Sequence, residues 1–301
     1  MSERLRIAIE KARAQRSEAA AQPAATAAAA SAGGAPAPAM AEAPPRAAPP
    51  SRSGTPPRRT LSRGVDAAVA DRWAALDPVP PARKRPGIVP ETGPAGSAYA
   101  LLRTRVLQQA RRNGWRRVAL VSPDPGDGKT TLAANLASGL TRQTDLRALV
   151  LDLDLRRIGL SKVFANAAPP EGMDAVLTGE APFARAARRL GDNVALGLNH
   201  HPVAQPAEIL QSSGAIDSLM AVEADYAPDI VLIDLPPLLI GQDNFGFLEN
   251  ADCALIVVSA ESTPMARIDT AERQVAELTE VMGIVLNKCR YPDRTNGYDY
   301  Y

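Results

Sequence analysis

Cysteine is scarce in this chain, with 2 in 301 residues. Cys253 lies inside an apolar run and Cys289 at the end of another. Both contexts read as buried strand positions rather than metal-binding spacing, so a disulfide scaffold is excluded and a reduced, cytoplasmic setting is expected. Long apolar runs are also missing, since no stretch approaches the ~20 residues of a membrane span. Met1–Arg16 is charged throughout where a secretory signal needs an apolar centre. Membrane association is therefore expected to be borrowed from a partner, with no span of the chain's own. A strong charge of either sign is absent too, the formal net charge being +1. That balance hides an asymmetry of 14 Lys and Arg against 8 Asp and Glu over residues 1–95, and 20 against 25 over residues 96–301. A basic first third can touch anionic lipid, nucleic acid or an acidic partner face. Scattered arginines in a solvated linker are the simpler reading, and no nucleic-acid partner is expected.

Large apolar side chains are few from Ala19 to about Pro94, where Ala, Pro, Ser, Gly and Arg dominate. Such a span buries too little surface to offset chain entropy, and residues 19–95 read as a disordered linker. Ahead of it, residues 1–18 place Leu5, Ile9 and Ala12 at helical spacing, a short amphipathic helix that is either a docking peptide or a frayed end. About 200 residues, 96–290, remain for one α/β core. A helix is expected over Ser97–Arg112 with Gly114 as its stop, and strands over Arg117–Val121, Ala148–Leu151, Val194–Leu198, Ile230–Ile233, Asp252–Val258 and Gly283–Leu286. Helical segments fall between them at Lys129–Thr141, Gly172–Leu177, Pro206–Val222, Asn244–Asn250 and Pro264–Val281. Short Val/Ile/Leu runs separated by helices predict an α/β fold, a mostly parallel sheet covered on both faces. Ligands of such sheets sit at the carboxyl ends of the strands.

One stretch organises that core: Ser122-Pro-Asp-Pro-Gly126-Asp-Gly128-Lys129-Thr130-Thr131. It follows an apolar run and opens into a helix, as a phosphate-binding loop does. Small residues let successive backbone N–H groups turn onto phosphates while the helix presents its positive end. Residues Pro125 to Thr131 are the candidate nucleotide contacts, with Lys129 supplying charge to the β/γ-phosphates and Thr130 a hydroxyl for Mg²⁺. Pro123 stands at the first glycine position of the strict motif. A surface turn that happens to precede a lysine is the bland alternative, and the strand–loop–helix order weighs against it.

Two further strand ends carry acids. Leu149-Val-Leu-Asp152-Leu-Asp154-Leu-Arg156 ends a buried strand in two carboxylates two residues apart. Beside a phosphate loop such groups hold Mg²⁺ or accept a proton from an attacking hydroxyl. Ile230-Val-Leu-Ile-Asp234-Leu-Pro-Pro237 is a second apolar strand ending in an acid, the Walker B pattern, in which Asp234 helps fix the metal. Each acid alone is also a common cap or turn residue. Together with the loop they point to nucleotide binding.

The set SPDPGDGKTT, LVLDLDLR and IVLIDLPP, continued by GMDAVLTGEAP, PAEIL and GIVLNK, resembles the bacterial tyrosine kinases (BY-kinases) of capsule and exopolysaccharide export, of the separate CpsD/CapB type. The resemblance covers roughly residues 97–290 and implies a P-loop fold of the ParA/MinD-like architecture. It implies ATP and Mg²⁺ as cofactors, Lys129 as the phosphate-binding lysine, Thr130 and Asp234 as Mg²⁺ partners, Asp152 as base for the acceptor hydroxyl and Asp154 as a further metal-site carboxylate. It further implies a chain-length-determining membrane protein (polysaccharide co-polymerase) as activator, which would recruit the kinase to the inner face of the cell membrane. One family feature departs: the ExxRxxR register, linked to ring assembly, reads Ser97-Ala-Tyr-Ala100-Leu-Leu-Arg103, so self-association of the family kind is in doubt.

Four of the six tyrosines, Tyr291, Tyr298, Tyr300 and Tyr301, crowd into the last eleven residues. Polar flanks and Gly297 predict a mobile tail, and in the resembling family a C-terminal tyrosine cluster is phosphorylated between subunits. The alternative for the tail is packing on the domain. The alternative for the whole chain is a P-loop ATPase switch or scaffold of an export complex with little kinase activity. A partitioning ATPase of the ParA/MinD kind is disfavoured, because the signature lysine of that group falls at Asp124 and the following glycine at Pro125.

Overall fold

Flat runs of Val, Ile, Leu and Ala, apolar on both faces, suit strands with helices above and below. Seven strands form one sheet: β1 (Arg117–Val121), β2 (Ala148–Asp152), β3 (Ala187–Leu190), β4 (Val194–Gly197), β5 (Ile230–Asp234), β6 (Cys253–Ser259) and β7 (Glu280–Asn287). Their order is β3-β4-β2-β5-β1-β6-β7, with β3 antiparallel to β4 and every other pairing parallel. This is the α/β, mostly parallel architecture expected from the alternation. The structure is a computed structural model and describes residues 67–82, 84–164, 169–240 and 245–289. The expected helix at Ser2–Arg16, the linker up to residue 66 and the tail tyrosines Tyr291, Tyr298, Tyr300 and Tyr301 lie outside the described residues.

The helices are α1 (Ala67–Ala74), α2 (Pro94–Asn113), α3 (Lys129–Leu140), α4 (Leu160–Val163), α5 (Met173–Leu177), α6 (Phe183–Ala186), α7 (Pro206–Leu210), α8 (Ser213–Tyr226), α9 (Phe245–Leu248) and α10 (Met265–Leu278). Side chains alternate across the strands, so β1 sends Ala119 and Val121 to one core and Val118 and Leu120 to the other. The first core is closed by α1, α5, α6, α8, α9 and α10, the second by α2, α3 and α4. Helix α2 begins at Pro94 and stops at Gly114, whose left-handed backbone turns its N–H onto the Ala110 carbonyl.

Several boundaries differ from expectation, each for a tertiary reason. The helix expected over Pro206–Val222 is two, because Ser212 caps α8 by accepting the Ala215 N–H at 3.1 Å. Helix α10 ends at Leu278 rather than Val281: Thr279 is extended, its hydroxyl bonds the Ala251 carbonyl at 2.7 Å, and β7 starts at Glu280 to pair with all of β6. Strand β3 was not expected, since Ala187-Arg-Arg-Leu190 has no apolar alternation and is strand only through its neighbours.

The largest difference is at the end of the supposed linker. Residues 67–82 and 84–93 form a strap with few but well-spaced anchors. Trp73 is 3% exposed, donates from Nε1 to the Tyr226 carbonyl at 2.8 Å and meets the Tyr226 ring edge-on. Beyond Leu76 the strap runs beside β3, Arg189 N–H bonding the Asp77 carbonyl and Val79 N–H bonding the Arg189 carbonyl, both at 2.8 Å. It finishes on α3, where the buried Asn135 accepts from Val89 N–H at 2.9 Å and donates to the Gly87 carbonyl at 2.8 Å. Composition pointed to a linker here because Ala and Pro surround those anchors.

Candidate functional site

The sheet order brings the three motifs together. Strand β1 feeds the phosphate loop, β5 lies beside it, and β2 lies beside β5 with Asp152 opposite Asp234 in register. All three strands end at the same edge, where a cleft of about 590 Å³ opens. Every loop residue from Pro125 to Thr131 lines it, as does Asp154. Asp152 and Asp234 are not on the wall: both are fully buried, one layer behind it.

Lys129 is 5% exposed, and its Nζ lies 2.6 Å from Asp234 Oδ1 and 4.0 Å from Asp154 Oδ2. Thr130 Oγ1 donates to Asp234 Oδ2 at 2.8 Å. Asp152 Oδ2 accepts the Leu160 N–H at 3.0 Å, while Oδ1 of Asp152 and Oδ1 of Asp154 are buried without a hydrogen-bond partner. Burial, and then the Asp234 charge, push the Asp152 carboxyl well above the usual carboxylate range. Burial raises Asp154 as well, against the pull of Lys129. One ammonium therefore faces three enclosed acids, two of them with orphaned oxygens.

The loop is braced from outside the cleft. Gly126 and Gly128 adopt φ of 85° and 97°, and a Cβ on Gly128 would lie 2.1 Å from Asn287 Nδ2. Asn287 Nδ2 donates to the Asp127 carbonyl at 2.8 Å and Lys288 Nζ to the Gly126 carbonyl at 2.6 Å. The Asp127 carboxylate turns away from the cleft, accepting the Asp124 N–H at 3.0 Å and the Thr263 hydroxyl at 2.7 Å. Asp124 itself is held in a two-point pair by Arg267 of α10. Arg103, the remnant of the ring-assembly register, donates to the Gly139 carbonyl at 2.6 Å.

Sequence reasoning passed over some of these groups. Arg156 and Lys288 close motifs that give them no role, and Arg157 and Lys162 lie in none, yet all four line the cleft. Asn199 Nδ2 fixes the Asp152 carbonyl at 2.7 Å, a contact no local pattern announces. Cys253 is buried in β6 as expected, its thiol raised by burial, whereas Cys289 is half-buried just past the end of β7.

A hard divalent cation fits this donor set, which is all oxygen and includes two buried orphan carboxylate atoms. Among the described residues no group of three or more His, Cys, Asp and Glu forms a metal cage.

No family profile matches the chain. It is 28% identical over 207 residues to the tyrosine-protein kinase YwqD of Bacillus subtilis, spanning 67% of this chain and 84% of that one. It is 32% identical over 179 residues to the succinoglycan biosynthesis transport protein ExoP of Rhizobium meliloti, and 29% over 199 residues to EpsB of Ralstonia nicotianae. Those matches cover 58% and 64% of this chain but only 22% and 26% of the relatives, so the chain spans about a quarter of their length. Among solved structures, the chimerical protein CapA2B2 superposes with a TM-score of 0.62 at 20% identity, covering 76% of this chain and 100% of that one, which establishes a shared fold. Loop, paired strand-end acids and relatives agree: over about two thirds of its length the chain is similar to bacterial tyrosine-protein kinases.

Proposed function

We propose that this protein is an ATP- and Mg²⁺-dependent protein-tyrosine autokinase that regulates capsule or exopolysaccharide polymerisation and export, with Tyr291, Tyr298, Tyr300 and Tyr301 as acceptors. The observation that carries the reading is the meeting of Lys129, Thr130, Asp152, Asp154 and Asp234 at one sheet edge beside the cleft. In transfer, a tyrosine hydroxyl oxygen bonds to the γ-phosphorus as the bond to the β–γ bridging oxygen breaks, releasing ADP. Lys129 neutralises charge on the transferring group, and backbone N–H groups opening α3 orient the phosphates. Mg²⁺, held by Thr130, Asp154 and Asp234, would supply further positive charge at the β- and γ-oxygens. Asp152, one layer behind the wall, is the proposed acceptor of the phenolic proton: it keeps an unpartnered oxygen, and burial raises its proton affinity. Asp154 shares both properties, so Asn substitutions at each position separate base from metal ligand.

Among the described residues no helix is long and apolar enough to cross a membrane. A separate chain-length-determining membrane protein is the proposed activator, holding the kinase at the inner face of the membrane. A second reading, an ATPase switch or scaffold with little transfer, is favoured by one observation: Arg103 is spent on a carbonyl within its own chain. Incubation of the full chain with labelled ATP and Mg²⁺ decides. Label on residues 291–301 supports the kinase, and phosphate release without label supports the switch.

A further inference from the structure

Asp152 is gripped twice, and both grips lead back to one residue. Leu160 N–H, at the start of α4, donates to Asp152 Oδ2 at 3.0 Å, while Oδ1 has no partner. The main chain of Asp152 is held separately, its carbonyl accepting Asn199 Nδ2 at 2.7 Å. Asn199 reaches α4 as well: its own carbonyl accepts the hydroxyl of buried Ser161, the residue after Leu160. Its Oδ1 accepts the Met173 N–H at 3.0 Å, at the start of α5.

The sheet dictates that place. Strand β4 runs parallel to β2 with Gly197 opposite Leu151, so the chain leaves β4 level with the end of β2. Gly197 lets α5 come close, since a Cβ there would lie 2.6 Å from Met173 Sδ. A carbonyl and an N–H then face the same buried side chain, which must donate and accept at once, as a short amide does. Asn193, at the other end of β4, is buried too, but spends its amide on the carbonyls of Leu140, Gln143 and Leu146. The two asparagines thus do similar work at opposite ends of one strand, and only Asn199 works beside the acids.

We infer that Asn199 is a positioning residue for phosphoryl transfer, tying the Asp152 main chain to the start of α4 and so fixing the direction of the free Oδ1. The inference rests on the kinase reading above and on Asp152 as acceptor of the phenolic proton. Asn199 does not line the cleft, so its effect on transfer runs through Asp152. A group that must meet a proton at hydrogen-bond distance gains its rate from being held in one orientation, and small displacements are costly. Residues that act as one unit lose their separate effects once either is removed.

Two measurements on the full-length protein test this. In tyrosine labelling with ATP and Mg²⁺, Asn199→Ala should lower the rate at saturating ATP about tenfold and leave the KM for ATP within about twofold. Placed on an Asp152→Asn background, the same substitution should change the rate by less than about twofold. An equal loss on both backgrounds, or a loss matched by a rise in the KM for ATP, would overturn the positioning role. The second measurement does not need transfer. Hydrogen exchange at the Leu160 amide should quicken in Asn199→Ala relative to amides of β6, and should not do so in Asn193→Ala, the control for general loosening of the core. Ser161→Ala, a smaller change, should quicken the same amide and carries both tests if Asn199→Ala does not fold. Leu160 exchange that ignores Asn199 and Ser161, or that quickens equally in Asn193→Ala, would overturn the tether. Quickened exchange in a protein whose wild type labels no tyrosine would sink the kinase reading and leave the tether on Asp152 standing.

Discussion

Lys129→Met removes the one ammonium from among three enclosed carboxylates, and its effect should be visible without any nucleotide. Lys129 is 5% exposed and its partner Asp234 is fully buried 2.6 Å away. Breaking such a pair from one side costs about 3–5 kcal/mol, because the remaining charge is left uncompensated. The lower half of that range is expected, since the Thr130 hydroxyl still donates to Asp234. With a urea dependence of about 2–3 kcal/mol per M, the unfolding midpoint at neutral pH should fall by ~1–2 M. The loss should shrink in mildly acidic buffer. Asp152 and Asp154 have raised proton affinity in the fold, so they protonate there before the unfolded chain does. Their contribution is present at low pH and is lost as pH rises through the folded values. Without Lys129, protonation of that pair is the remaining way to relieve the cluster. Urea titrations at both pH values, with phosphate release measured alongside, give the answer. A midpoint unmoved at neutral pH, or phosphate release at the wild-type rate, would refute the reasoning.

Asp152→Asn should lower phosphate transfer more than ATP affinity, and should stabilise the nucleotide-free protein at neutral pH, where the native carboxylate is costly to bury; a parallel loss of ATP affinity in equilibrium titrations would make Asp152 a metal ligand instead. Replacing Tyr291, Tyr298, Tyr300 and Tyr301 with Phe should abolish phosphotyrosine and leave ATP binding intact, and label persisting on a blot would place the acceptor elsewhere. Trp73→Ala should cost about 3–5 kcal/mol in chemical denaturation, as expected for a buried aromatic. A change of a few tenths would return that stretch to the linker.

How much of this was legible in the chain follows from how local each cause is. The loop, its helix and the strand-end acids were readable because each is a contiguous pattern: an apolar run, then a turn or an acid. That Asp152 and Asp154 would differ in exposure was not readable. The strand ends at Asp152 and the chain then turns, so the first acid is walled in and the second reaches the cleft. The strap escaped for a related reason. Its helix is short, and beyond it Leu76, Val79 and a few hydrogen bonds to Arg189 of β3 and the Asn135 side chain of α3 hold the strap, which leaves no periodic trace in an Ala- and Pro-rich stretch. Strand β3 was hidden with it, since two arginines in four residues read as surface until Asp77 and Val79 pair alongside them.

The strap also bears on how the protein can be shortened. Strand β3 ends the sheet, and the bridge between Pro78 and Arg189 covers its open side. A truncation beginning at α2, the natural choice from composition, would uncover a row of unpaired amides and carbonyls and invite strand-to-strand sticking between copies. It would also release the grip on Asn135, one turn along the helix from Thr131. Trimmed versions should start ahead of Ala67.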